Sequence, residues 1–103
     1  MRIFMKVSIP VEVGNAKMAD GSFGKAMQAI LAEQKPEAAY FYPEGGRRGG
    51  ILIVNFTEST DVLRYAEPLW IAAHADVTLT PVMGLDDIEG AFGELPGIVE
   101  RFG

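Results

Sequence analysis

The chain contains no cysteine. It therefore has no disulfide framework, no thiolate nucleophile and no thiolate metal ligand. It has one histidine, which leaves only a site shared between subunits as a conventional transition-metal centre; neither a metal nor a cofactor is expected. Bases are fewer than acids: 9 Lys and Arg against 14 Asp and Glu give a net charge of −5. The bases are scattered rather than striped, which argues against nucleic-acid binding. No apolar run approaches the length of a bilayer span. Met1-Arg2-Ile3-Phe4-Met5-Lys6 carries charge inside its apolar stretch and has no cleavage site, so it reads as a strand and not a signal peptide. A soluble cytoplasmic protein is the expectation, with no nucleic-acid partner and no membrane contact.

What is present is a 49% hydrophobic composition over 103 residues, enough for one ordered domain spanning residues 1–103. Two apolar runs, Ala38–Pro43 and Ile51–Phe56, flank Glu44-Gly45-Gly46-Arg47-Arg48-Gly49-Gly50. Paired glycines admit the positive φ of a tight reversal, so this segment reads as a β-hairpin. Arg2–Ile9 alternates, with Ile3, Met5, Val7 and Ile9 on one face and Phe4, Lys6 and Ser8 on the other. Pro10–Gly21 reads as a connection with a turn at Gly14-Asn15. A helix capped by Asp20 or Ser22 follows, with Phe23, Ala26, Met27, Ile30, Leu31 and Gln34 on its inner stripe, and Lys35-Pro36 ends it.

After the hairpin, Ser59 or Thr60 is placed to cap a second helix. Its stripe is Val62, Ala66, Leu69 and Ala73, widened by Leu63 and Trp70, and Pro68 predicts a kink or a restart near Glu67. Asp76–Met83 alternates again, Val77, Leu79, Pro81 and Met83 against Asp76, Thr78, Thr80 and Val82. Asp86 or Asp87 opens a short helix with Ile88 and Phe92, and Pro96 starts a further turn. The order β-α-β-β-α-β predicts an α+β, ferredoxin-like fold: a four-stranded antiparallel sheet with its helices on one face.

Two helices cover only one face of such a sheet. The other face carries Phe4, Tyr40, Tyr42, Ile51, Ile53 and Val82 mixed with Lys6, Ser8, Asn55, Thr78 and Thr80. It is too apolar to stay bare and too polar for a dry core. A homodimer through the open sheet face, closing a half-polar cavity, is the expectation.

The strand order, the Gly-rich hairpin, Ala66-Glu67-Pro68-Leu69-Trp70, and Thr80-Pro81-Val82-Met83 leading into Asp86-Asp87-Ile88 resemble small bacterial proteins of the dimeric α/β-barrel superfamily, in a branch without an assigned activity. The resemblance spans most of the chain. It implies two ferredoxin-like subunits packed sheet to sheet. Members include cofactor-independent monooxygenases, muconolactone isomerases, haem-degrading enzymes and sensor domains. Some of the oxygenases use an Asn, a Trp and a His. Here Asn15, Asn55, Trp70 and His74 are available, but Trp70 and His74 stand one helical turn apart, closer than in the haem-degrading enzymes. No catalytic role is carried over, because fold alone does not assign function.

The candidate ligand-binding set is Lys6, Ser8, Tyr40, Tyr42, Asn55, Thr78 and Thr80, whose phenols, amide and hydroxyls suit a small carbonyl or phenolic ligand. Lys6 offers a cation for an enolate or carboxylate. The competing reading is a polar, water-filled dimer interface. His74 reads as a helix C-terminal residue near free carbonyls, or as a general base oriented by Asp76 or Glu67. Arg47-Arg48 reads as a charged hairpin tip or as an anion site. Trp70 reads as core, as dimer interface, or as a stacking surface for an aromatic ligand. Asp86, Asp87 and Glu89 complement a helix N-terminus, or else form a paired-carboxylate site. The function expected is a small-molecule-binding homodimer, either a cofactor-independent oxygenase or isomerase on an aromatic or enolisable substrate, or a non-enzymatic ligand sensor or assembly module using the same face. A third reading covers the face with a different protein. Whether the chain is an enzyme stays open at this point.

Overall fold

Strict alternation makes Arg2–Ile9 the central strand, β1, in the computed structural model, which describes residues 1–103. α1 (Val11–Ala19), α2 (Ser22–Gln34), β2 (Ala38–Glu44) and β3 (Arg47–Asn55) follow. Then come α3 (Asp61–Ala73), β4 (Asp76–Pro81), α4 (Leu85–Ala91), a short 3-10 turn at Phe92–Glu94, and α5 (Leu95–Phe102). The strands form one antiparallel sheet in the order β2-β3-β1-β4. This α+β arrangement is compatible with the ferredoxin-like order expected from the sequence. No helix is long and apolar enough to cross a membrane.

The core is the helix-side face of the sheet. Ile3, Met5, Val7 and Ile9 from β1 and Leu52 and Val54 from β3 meet Ile30 of α2 and Leu69 and Ala73 of α3, with Phe56 at the margin. Phe23, Met27 and Leu31 pack against this cluster but remain half-buried. The expected stripe of α2 is therefore on the correct face. Gln34 closes it by donating from Nε2 to the carbonyl of Tyr65 at 2.9 Å.

Five features differ from the sequence expectation. Pro10–Gly21 is not a plain connection: Gly14 and Asn15 lie inside α1, where Glu12 near the start and Lys17 near the end complement the helix dipole. The reversal falls instead at Gly21, with φ 78°, and Asp20 Oδ1 accepts from the Ser22 amide at 2.8 Å. The hairpin loop is two residues, Gly45 (φ 57°) and Gly46 (φ 82°), so Arg47 to Gly50 belong to β3. α3 runs unbroken through Pro68 and does not restart at Glu67. Its inner face is Asp61, Tyr65, Ala66, Leu69, Ala72 and Ala73, whereas Val62, Leu63 and Trp70 are exposed. Pro81 at the end of β4 and Met83 beyond it are also exposed rather than part of the core.

α3 starts without a side-chain cap from Ser59 or Thr60. Its first amides bond instead to the carbonyls of Glu58, Ser59 and Thr60, and Asp61 fastens the preceding loop to the helix. Its Oδ2 accepts from the amides of Thr57 at 2.7 Å and Glu58 at 3.2 Å, and Oδ1 accepts from Arg64 Nη1 at 2.7 Å. The Thr57 amide, then the Arg64 guanidinium, pulls the carboxyl pKa from 3.8 down to about 2.

Leu69 is 0% exposed, whereas Leu31 borders an open space. Leu69→Ala should cost about 2–5 kcal/mol in denaturant unfolding, from lost transfer energy plus a residual cavity. Leu31→Ala should cost less, and the reverse order would place the core elsewhere. A depressed carboxyl pKa stabilises the fold fully above the unfolded value and loses that contribution as pH falls through the folded value. Asp61→Asn should therefore remove part of the stability that the wild type loses between pH 3.8 and about 2, read as a flatter acid limb in thermal melts across that window.

Candidate functional site

Because β1 pairs on both edges, the register fixes which side chains share the open face. One row runs Tyr42, Gly49, Ser8, Asp76 across β2, β3, β1 and β4. The next runs Tyr40, Ile51, Lys6, Thr78, and the third Ala38, Ile53, Phe4, Thr80. Arg2 pairs with Asn55 at the far end. Successive residues alternate faces, so Lys6, Ser8, Tyr40, Tyr42, Asn55, Thr78 and Thr80 do lie on one side of the sheet. They do not converge on one point. Asn55 stands six residues along β3 from Gly49, roughly 20 Å at strand rise. Its Oδ1 accepts from the Met1 α-amino group at 3.0 Å.

The hairpin adds residues whose glycine-rich surroundings read as a loop in the sequence. With a two-residue turn, Glu44 faces Arg47 at the top of the sheet. Glu44 Oε1 lies 2.9 Å from Lys6 Nζ, and Arg47 Nη1 lies 3.7 Å from Asp76 Oδ2. Glu44 also accepts from Tyr42, which holds the phenol pKa up and, with Lys6, the carboxyl pKa down. Glu44 in turn holds the Lys6 ammonium pKa up. Gly49 permits this crowding, since a Cβ there would sit 2.7 Å from Glu44 Cβ and 3.0 Å from the Val7 carbonyl oxygen. Both of these cations are thus already matched by carboxylates, as is Arg2 at the far end by Glu37 at 2.8 Å. Lys6 is not a free cation, and Arg47 is an in-sheet partner of Asp76 rather than a hairpin tip. The two-glycine turn was the signal that placed Glu44 and Arg47 here.

The other candidates lie elsewhere. His74 is the C-terminal cap of α3, at φ 50°, and its amide donates to the Trp70 carbonyl at 2.9 Å. No hydrogen bond or ion pair joins its ring to Asp76 or Glu67, and Asp76 is engaged with Arg47. Trp70 is 40% exposed on the outer side of α3, so it is not core. Asp87 Oδ2 accepts from the Gly84 amide at 2.8 Å at the start of α4, as a helix-terminal carboxylate does.

An open cavity lies on the opposite, helix-covered side of the sheet. It measures about 800 Å³ and is floored by Val7, Ile9, Gly50 and Phe41 and roofed by Phe23, Met27 and Leu31 of α2. At its mouth Arg48 donates from Nη1 to Asn15 Oδ1 at 2.9 Å. Gly14 allows that approach, since a Cβ there would lie 2.9 Å from the guanidinium. Sequence alternation did not reveal this space, because it arises from how α1 and α2 stand over the glycine end of β3.

Compared with protein-family models, curated proteins and solved structures, the chain finds no match in any of the three.

The polar network makes a spectroscopic prediction. Glu44→Gln removes the acceptor charge that keeps Tyr42 protonated, so alkaline absorbance titration should show one tyrosine ionising at lower pH than in wild type. Unchanged tyrosine titration would mean that Glu44 does not hold Tyr42 in solution.

Proposed function

We propose that the chain is a small-molecule-binding homodimer on a ferredoxin-like frame, with the ligand enclosed between two open sheet faces as in the dimeric α/β barrels its sequence resembles. The observation that carries this reading is the composition of the uncovered face. Phe4, Tyr40, Ile51 and Ile53 make an apolar centre that no helix covers, and Tyr40 alone is 65% exposed. A polar cluster edges that centre. An apolar floor with a few oriented polar groups is what small-molecule sites require.

The electrostatics narrow the ligand. Lys6 with Glu44 and Arg47 with Asp76 leave the cluster without net charge. An anionic ligand would have to break one of these pairs. A neutral aromatic ligand with a carbonyl or phenolic oxygen would not: it can take donors from Tyr40 and Ser8, and a phenol can donate to the Tyr42 oxygen, whose own proton is given to Glu44. Tyr42 and Lys6 are both held in their protonated forms, so neither acts as a base. Glu44 is held ionised, which makes it a weak base. A sensor or carrier of neutral aromatics follows more directly from this geometry than an oxygenase or an isomerase.

Sedimentation at micromolar concentration should give a dimer mass. Ile51→Lys puts an unpaired charge in the proposed interface, where burial costs more than about 1.4 kcal/mol, so the dissociation constant should rise more than about tenfold. A thermal-shift screen should then favour neutral phenols and aryl ketones over the matching carboxylates. Tyr42→Phe should weaken that shift more than Asn55→Leu does, since Asn55 lies away from the cluster. A monomeric wild type, or a preference for carboxylates, would sink this reading.

A further inference from the structure

The segment from Gly84 to Gly103 has no buried residue; only Gly84, Ile88 and Gly97 are even half-buried. The molecule measures 59 × 27 × 21 Å with a radius of gyration of 17.3 Å. A compact domain of this length would have a radius near 13 Å, so the C-terminal segment projects as an arm. Its last helix, α5, is nonetheless amphipathic. Leu95, Ile98, Val99 and Phe102 recur at i, i+3, i+4 and i+7 and form one stripe, with Phe102 80% exposed. Such a stripe is stable in water only when covered.

The same chain carries a concave, mostly apolar surface, the open 800 Å³ cleft under α2, lined by Phe23, Met27, Leu31 and Phe41. An exposed apolar surface of this kind marks an interaction site. Charge favours the arm. Of the two charged residues lining the cavity, Arg47 is matched by Asp76 and Arg48 has only the uncharged Asn15 as partner, while the arm holds five acids (Asp86, Asp87, Glu89, Glu94, Glu100) and one base, Arg101. Position favours another molecule's arm. The arm leaves from the Arg2 end of β1, where the Val82 amide donates to the Arg2 carbonyl. The cavity lies at the Ile9 end, on the far side of β1 from β4. That is roughly 23 Å away along an eight-residue strand. To fill its own cavity, α5 would have to double back along the sheet.

We propose that α5 of one chain docks, stripe inward, in the helix-side cavity of a second copy, with Glu100 and the preceding Glu94 beside Arg48. This does not depend on the open-face ligand site and uses the other side of the sheet.

Since the chain has no cysteine, introduced thiols are the only ones present. Full-length Met27→Cys/Phe102→Cys protein treated with a short bismaleimide should give a cross-linked dimer on a denaturing gel. Mixed single variants, Met27→Cys with Phe102→Cys, should cross-link to each other. Leu63→Cys/Phe102→Cys, which places the first thiol on the exposed side of α3, should not. A link confined within one chain, or no link above that control, overturns the proposal. A second measurement uses the apolar anionic dye anilinonaphthalene sulfonate. Ile98→Asp/Phe102→Asp should empty the cavity and raise dye fluorescence several-fold while circular dichroism holds, and Arg48→Glu should lower cross-linking. Dye binding that is already strong in wild type and unchanged in the arm variant would show a vacant cavity suited to a small amphipathic acid, and would equally overturn docking of the arm.

Discussion

Everything in this molecule depends on the two-residue period of β1. Ile3, Met5, Val7 and Ile9 are buried on one side, and Arg2, Phe4, Lys6 and Ser8 stand on the other. A slip of one residue would drive two charges, a hydroxyl and a phenyl ring into the core. Because β1 pairs with both β3 and β4, its register determines theirs. Lys6 is therefore bound to lie between Ile51 and Thr78, and Ser8 between Gly49 and Asp76. The core and the open face are two consequences of one alternation.

That is also why the strands and the open face were legible in the sequence. Alternation is local information, and each of the seven polar candidates sits on the side that its neighbours implied. The hairpin was legible in kind but not in length. Four glycines read as a loop, yet only Gly45 and Gly46 take positive φ. Gly49 and Gly50 are flat strand residues, required because Glu44 and Phe41 pass close over them. A glycine needed for conformation and a glycine needed for clearance look alike in a sequence. The same ambiguity hid α1, where Gly14 reads as a turn but serves to admit Arg48.

The inner face of α3 was misjudged for a different reason. Val62, Leu63 and Trp70 are apolar, and periodicity assigned them inward. The helix is instead rotated so that Asp61, with four donors around it, takes an inner position. A carboxylate satisfied this fully is tolerated at an inner position. Hydrophobic pattern alone does not register that alternative. The same rotation leaves Trp70 and Ile71 on the outer surface, where they add to the apolar area that the solitary chain exposes.

The exposed apolar area has a thermodynamic consequence. Only 16 of 103 residues are buried, a small core for a chain whose composition is half hydrophobic. Backbone ordering costs about 1–2 kcal/mol per residue whether or not the residue is packed, so the helices of the arm bear that cost with little burial to offset it. Helices of seven and eight residues are also too short to persist by propensity alone. Their order requires contacts that the single chain does not provide. Charge then restricts what those contacts can be. With five acids and one base in the arm, the remaining chain holds nine acids and eight bases and is nearly neutral. The acidity of the protein is thus a property of its arm. Two arms brought together would repel, whereas an arm laid on a surface edged by arginines would not. The sequence's shortage of basic residues, which at first only excluded nucleic acid, is the same feature that directs the arm towards the few places where bases are found.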